Sequence, residues 1–255
     1  MAAAIVKRIR FLPEPAAGDV ICRFTEPRAV AAASVSIEPS GLSLLPADAE
    51  NGDLVVIIAP TALGLEDHPD GPKPVVLKNE SGTVRWRPGR AVLECSAANS
   101  ESLLAAVIGF AFLEGELRRL EQELLPYEIS APADAAIAYR IERSSRAEWE
   151  RLAQTMKHLS LLRLTFARLE PHLASPPRTL DLEGRRAAAG LVARSGVRAR
   201  LESFGNRLEA CEDLYEGAVD RITDFRWYRK GEILETIIIV LLVLEVILMG
   251  LQWFK

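Results

Sequence analysis

The chain has 255 residues, of which 49% are hydrophobic and 26% charged, and its formal net charge is −4. This length and composition suit one large folded domain or two small ones, and the missing basic excess disfavours nucleic acid as a partner. The three scattered cysteines form no CxxC pair, so they predict free thiols and argue against a disulfide framework or a zinc site.

The first hundred residues predict a β-rich region. Short runs rich in Val and Ile are bounded by Gly, Pro, Asp and Asn, and they read DVICRF, DLVVIIAP, KPVVLK, TVRWR and AVLEC. The segment PVVLKNESGTVRWR predicts a hairpin that turns at Glu80-Ser81-Gly82, and the continuously apolar DLVVIIAP predicts a strand covered on both faces. The N-terminal MAAAIVKRIRFLPEP has no apolar run of signal-peptide length, and we expect it to be weakly ordered, with a short organelle transit peptide as the alternative because no acid precedes Glu14.

Two helices are predicted after residue 99. The segment SESLLAAVIGFAFLEGELRRLEQELL predicts a core helix lying on the sheet, because its apolar part is too short to span a bilayer. The next helix is predicted to begin after Ser145. Ser145 and Glu148 have the spacing of a capping box, in which Glu148 lies in the first turn of the helix. Pro176 and Pro177 end it and force the chain to turn.

The region after this turn carries the clearest pattern in the sequence. Alternate steps of four and three residues from Val197 meet only apolar or aromatic side chains as far as Phe225, a heptad spacing that is typical of a helix packed along another helix. The preceding helix, antiparallel across the proline turn, and a second subunit are both possible partners. The seam residues that we assign to oligomerisation are Leu201, Phe204, Leu208, Tyr215 and Ile222.

The C-terminal residues predict a transmembrane helix that anchors the chain by its tail. Residues 233–251 contain only Glu235, Thr236 and Glu245 as polar positions, and as a helix they span roughly 28 Å at ~1.5 Å per residue. Aromatic and basic residues flank this span as interfacial anchors do, namely Trp227, Tyr228, Arg229, Lys230, Trp253 and Lys255. Because basic residues concentrate before the span, the positive-inside rule places the N-terminal body in the cytoplasm.

Glu245 lies inside this predicted span. A charged acid there costs roughly 2.5–3.5 kcal/mol on insertion scales, so it is either protonated, tilted toward an interface or paired with a polar group on another helix. We hypothesise that Glu245, in its neutral form, hydrogen-bonds to its counterpart in a self-assembled bundle. The alternative is a tolerated acid with no role.

The C-terminal half resembles a known family. The segment FARLEPHL, the proline break and then GNRLEACEDLYEGAVDRITDFRWYRKGEILETIIIVLLVLEVIL are similar to the required-for-meiotic-nuclear-division family, which has bacterial, fungal and mitochondrial members. The resemblance covers roughly residues 145–251 and includes the family's L-E-x-I-I and E-x-I-L motifs at residues 234–238 and 245–248. It implies an α+β head, a membrane-tethered helical stalk and homo-oligomers, and its mitochondrial members are associated with organelle translation.

These patterns predict an α+β protein in three parts. A β-rich head with a packed helix occupies residues 1–142, an antiparallel coiled-coil-like helical hairpin residues 143–230, and a single transmembrane anchor residues 231–255. No Gly-rich phosphate loop, nucleophile elbow or zincin motif is present, so we predict no catalytic residue, metal ligand or cofactor, and enzymatic activity is disfavoured.

The leading functional hypothesis is a non-enzymatic membrane-anchored scaffold whose partners are lipid and further copies of itself. A small-molecule-sensing or enzymatic head, and a membrane tether for the translation machinery, are the alternatives. Abundant Arg and Ala indicate a bacterial genome. The expected location is therefore the bacterial cytoplasmic membrane, with the mitochondrial inner membrane as the alternative.

Overall fold

A computed structural model describes residues 5–13, 19–36, 53–60, 73–140, 146–175, 177 and 179–253. Within these ranges the chain has the predicted mixed α+β fold, with a seven-stranded sheet and four α-helices. The strands are β1 (Ile5–Leu12), β2 (Asp19–Phe24), β3 (Val30–Ser36), β4 (Leu54–Ala59), β5 (Val75–Asn79), β6 (Gly82–Arg87) and β7 (Arg90–Cys95). The helices are α1 (Ser100–Tyr139), α2 (Arg146–Ala174), α3 (Leu182–Arg194) and α4 (Val197–Trp253).

The chain divides into two compact units. The sheet unit comprises Met1–Glu123 with Leu162–Asn206, and the helical unit comprises Leu124–Leu161 with Arg207–Lys255. The longest helices contribute residues to both units. The predicted boundaries after residues 142 and 230 stay predictions.

The sheet has the strand order β2-β3-β1-β4-β7-β6-β5, and all neighbours pair antiparallel except β4 and β7. All five sequence-predicted strands are present. The expectation of a weakly ordered N-terminus is wrong for β1, which pairs with both β3 and β4. Arg8 and Arg10 both donate to Asp53, at 2.6 and 3.3 Å, so one buried carboxylate offsets part of the positive charge of this strand.

The predicted β5–β6 hairpin is confirmed. Gly82 follows the turn with a φ of 143°, a region that L side chains rarely adopt. A Cβ atom at Gly82 would lie 2.4 Å from the carbonyl oxygen of Glu94 on the neighbouring strand. The position therefore needs glycine both for its backbone angle and for the close approach of β7.

The N-terminal part of α1 packs on the sheet through aromatic side chains, as predicted for a core helix. Phe110 meets the ring edge of Trp86 at 4.8 Å between centroids, and Phe112 stacks on Phe24 at 4.3 Å. By length and composition alone, Ala97–Ile137 is the one stretch that could cross a membrane among the residues described, and the apolar run at the end of α4 continues in the sequence beyond the side chains described there. The most apolar part of Ala97–Ile137 is 56% buried in the protein, which is typical of a core helix.

In the helical unit, α1 and α2 run antiparallel. The hydroxyl of Tyr127 lies 3.1 Å from Nδ1 of His158, whereas Asp134, further along α1, accepts a 2.6 Å hydrogen bond from Arg151, which lies earlier on α2. The helix α1 reaches these contacts because it continues through Pro126 and Pro132 to Tyr139. The sequence predicted a shorter helix, since prolines ordinarily interrupt one.

The same unit places α4 parallel to α1. Arg207 donates to Glu128, and Tyr215 donates to Asp134 further along both helices. Because α2 is antiparallel to α1, α2 and α4 run in opposite directions within this unit.

The heptad positions on α4 are buried from the start of the helix at Val197 as far as Ile222, and Phe225 is half-buried. The predicted capping residue Ser145 lies outside the described residues. A coiled-coil geometry for this seam and a transmembrane ending for α4 stay predictions.

Candidate functional site

The C-terminal part of α4 exposes an apolar surface on every side. We call residues 233–247 the apolar segment. Eleven large aliphatic side chains described within it are each 50–60% exposed, and eight of them follow one another without interruption at positions 237–244. A helix that is hydrophobic all round belongs in a protein core or a lipid bilayer, and here no part of the described chain covers it. Side chains at position 246 and from 248 onward lie outside the description.

The predicted anchor residues before this segment face outward. Trp227 and Tyr228 are 71% and 70% exposed, and Arg229 and Lys230 are exposed beside them. The ammonium group of Lys230 lies 5.7 Å from the ring centroid of Trp227, within cation–π distance. The four residues form an aromatic and basic collar on the last turns before the apolar segment.

The remaining predicted residues of the anchor are less fully described. Glu245 lies within the apolar segment and is exposed. Trp253 is the last residue of α4, but its side chain is not described, and Lys255 lies outside the described residues. The roles predicted for these three residues stay predictions.

The seam residues assigned to oligomerisation are buried within their own chain. In the sheet unit, the ring of Phe204 lies 5.0 Å from that of Phe166 on α2, and Leu201 is buried beside it on α4. The seam residues of the helical unit are Leu208, Tyr215 and Ile222. Burial in a single chain favours the intramolecular partner, and contact of these residues with a second subunit stays a prediction.

The sheet unit contains a cavity of 270 Å³, which we call the sheet-unit cavity. Its walls come from β2 and the residues after it, α1, the end of α2, and α3. Buried apolar side chains line its interior; among them are Ala106, Phe110, Leu113, Leu173, Ala188 and Val192. The cavity is slightly below the usual volume range of small-molecule sites, which begins near 300 Å³.

The mouth of the cavity is polar. Nε2 of His172 lies 3.1 Å from Oε2 of Glu26, and the exposed residues Thr25 and Thr179 stand on the same rim. Burial raises the pKa of the Cys22 thiol, on the β2 wall, to about 11. That thiol is therefore protonated at neutral pH and contributes an uncharged surface.

This cavity was not predicted from the sequence. Its one local sign is the run AAVIGFAF, in which the small residues Ala105, Ala106 and Gly109 stand among large apolar ones. Whether small residues leave a space depends on four elements that are distant in sequence. For that reason the cavity could not be derived from the sequence pattern.

Neither a protein-family model nor a curated protein matches the chain. Among solved structures, the chain is similar to the CorA magnesium transporter from Methanocaldococcus jannaschii, with 10% sequence identity over 94% of this chain and 82% of that one. The TM-score of that superposition is 0.41, which is too low to support an inference about the fold or the function of this chain.

Proposed function

We propose that the protein is a non-enzymatic scaffold or assembly protein, anchored in a membrane by the apolar segment and self-associating there. The observation that carries this proposal is the exposure of the eleven aliphatic side chains on all sides of α4. Burial of such a side chain contributes about 1.5–3 kcal/mol, so leaving eleven of them in water is strongly unfavourable. A protein partner on one side would cover one face, whereas lipid covers all faces at once.

The collar before the apolar segment supports an orientation of the chain in the membrane, with the N-terminal body on the cytoplasmic side. Trp227 and Tyr228 carry amphipathic rings of the kind that concentrate at membrane interfaces, and Arg229 and Lys230 add positive charge on the same turns. We assign this side to the cytoplasm of a bacterial cell. Membership in the required-for-meiotic-nuclear-division family, with its head, stalk and anchor, belongs to the same proposal.

Self-association is the second part of the proposal. A lone acid among lipid tails is costly unless it is neutral and hydrogen-bonded, and a second copy of α4 would bring another Glu245 to the same depth. Because the seam upstream is buried within its own chain, we place the contact between copies on the apolar segment.

Alkaline extraction of membranes tests the anchor. We expect the full-length protein to remain with the membrane pellet. The double variant Ile239→Lys and Val243→Lys should move to the supernatant, because each charge adds roughly 2.5–3.5 kcal/mol to insertion. The double variant Leu161→Lys and Leu164→Lys is the matched control. These two α2 residues are 53% and 51% exposed, as exposed as the apolar segment, but they lie outside it.

Release of the unmodified chain into the supernatant, where it stays dispersed without detergent, would overturn the anchor. The self-association part is tested by native mass measurement in mild detergent. We expect a multiple of 28.0 kDa, and a lone species of that mass would overturn self-association while leaving the anchor standing.

A further inference from the structure

The sheet-unit cavity is partly open to the surface and extends inward beside Gly109 of α1. Gly109 is buried in α1 and lines the cavity, yet a Cβ atom added to it would meet no described atom within 4 Å apart from the neighbouring backbone of its own helix. Protein interiors are close-packed, so a buried backbone position with this much free space around it is uncommon. The free space beside Gly109 is therefore accessible to a molecule that fills it.

The volume limits the size of such a molecule. By scaling from an engineered cavity of about 150 Å³ that holds benzene, a cavity of 270 Å³ accepts roughly ten non-hydrogen atoms. That is smaller than most nucleotides and cofactors. It fits a short apolar chain or a single ring with a short substituent.

The distribution of polarity limits its chemistry. The interior presents carbon atoms from α1, α2 and α3, where a charged group would lose its hydration without gaining a partner. The rim offers the Glu26–His172 pair, in which a carboxylate accepts hydrogen bonds and an imidazole can donate or accept one. A hydroxyl group on the ligand could bond to either member of this pair.

We propose that the sheet-unit cavity binds a small uncharged amphiphile of roughly ten non-hydrogen atoms, with its apolar body beside Gly109 and a hydroxyl group at Glu26 and His172. This binding activity is separate from the proposed membrane anchor, because every wall of the cavity belongs to the sheet unit. Ligand binding in the sheet unit would therefore be independent of membrane anchoring and of the packing of the seam.

Alkylation of Cys22 provides a local readout for the test. The thiol lines the cavity and is half-buried, whereas Cys95 and Cys211 are buried elsewhere and serve as internal references. The probe is 4-phenylbutan-1-ol, added to the full-length protein in lipid discs. At a probe concentration ten times its Kd, the iodoacetamide labelling rate of Cys22 should fall about ten-fold, while the rates of the other two cysteines should not change.

Two leucine variants on the same helix make the test specific. Gly109→Leu fills the space and should abolish protection of Cys22 by the probe. Gly115→Leu adds the same side chain at an exposed position of α1 outside the cavity, where it also meets no atom within 4 Å, and should leave protection unchanged. If Gly109→Leu does not fold, Ala188→Leu narrows the cavity from the α3 wall and should also abolish protection.

Unchanged labelling of Cys22 in the wild-type protein up to the solubility limit of the probe would overturn the proposal. Protection in Gly109→Leu equal to that in the wild type would also overturn it, because the probe would then be bound somewhere else.

Discussion

The hydroxyl of Tyr215 donates a 2.6 Å hydrogen bond to Oδ2 of Asp134, and both side chains are buried in the helical unit. Arg151 donates to the other carboxylate oxygen at 2.6 Å, and Oγ of Ser130 lies 3.0 Å from the tyrosine hydroxyl. A buried carboxylate is costly unless its oxygens accept hydrogen bonds. The cluster thus links α1, α2 and α4 through a single acid.

Replacing Tyr215 with Phe should lower the free energy of unfolding by about 1–3 kcal/mol, because Oδ2 of Asp134 loses its donor while staying buried. Thermal unfolding of the full-length protein in mild detergent, followed by circular dichroism, measures the change. The control is Tyr127→Phe, which removes an exposed hydrogen bond to His158 and should change stability by less than about 0.5 kcal/mol. Equal effects of the two substitutions would contradict a special role for the buried cluster.

The same tyrosine predicts a loss of stability in alkaline solution. Burial, with the hydrogen bond to Asp134 as a further cause, raises the pKa of Tyr215 from 10.0 to about 12. Between these two values the unfolded chain releases the phenolic proton and the folded chain retains it, so stability falls as the pH rises.

The difference in unfolding free energy between the wild type and Tyr215→Phe should therefore shrink by about 2 kcal/mol between pH 10 and pH 12. Lysines and the other tyrosines titrate in both proteins, so their contributions to the pH dependence of the unfolding free energy cancel in this difference. A difference that stays constant over this interval would show that the hydroxyl titrates normally in the folded protein.

Local sequence patterns predicted most of the sheet but missed two strands for physical reasons. In β1, Lys7, Arg8 and Arg10 interrupt the apolar pattern, and the strand is held by pairing with β3 and β4 and by the bonds of both arginines to Asp53. In β3, the segment VAAASVS has low β-propensity, and its extended form depends on pairing with both β1 and β2. Both strands are determined by contacts that are distant in sequence.

The candidate sites divide in the same way. The apolar segment was predictable as a feature of the sequence because it is a continuous run of large aliphatic residues, and the structure shows that this run is exposed. The sheet-unit cavity was not predictable, because Gly109 leaves a space only where β2, α2 and α3 fail to fill it. A continuous apolar run can be read from the sequence, whereas a cavity depends on how helices and strands that are distant in sequence pack together.

A bridging arginine in the sheet unit provides a third prediction. Arg200 donates to Glu114 at 2.7 Å and to Glu121 at 2.6 Å, and these hydrogen bonds raise its pKa, with the bond to Glu121 as the largest cause. Arg200→Met keeps the apolar stem but removes both bonds. Buried Glu114 keeps its bond from Arg118 but loses the one from Arg200, and hydrogen bonds to charged groups contribute about 1.5–3 kcal/mol, so we expect a loss of about 1–3 kcal/mol in the free energy of unfolding.

The matched control for this substitution is Arg146→Met. Arg146 pairs with Glu150 on the surface of α2, where the two side chains are 88% and 62% exposed. Exposed pairs contribute little, so this variant should change stability by less than about 0.5 kcal/mol. A similar loss in both variants would indicate that the burial of Glu114 does not matter.

The heptad seam provides a fourth prediction. Leu208→Asp places a carboxylate at a fully buried position of α4, so we expect a loss of at least about 3 kcal/mol, with reduced helicity by circular dichroism. Leu164→Asp is the control, because that leucine lies half-exposed on α2. Normal helicity and assembly of the Leu208→Asp variant would reject the packing argument for the seam.

The last prediction concerns the acid in the apolar segment. If copies of α4 associate through neutral Glu245 side chains, Glu245→Leu removes the hydrogen bond between helices and should shift the mass of the particle in mild detergent toward a single 28.0 kDa chain. It should also strengthen membrane retention, since a leucine replaces a costly polar group. Glu235→Leu is the matched control: Glu235 lies near the collar, where water and lipid headgroups solvate an acid without a protein partner. An oligomer that survives Glu245→Leu unchanged would leave the acid without a role in assembly and would place the contact between copies on the aliphatic side chains themselves.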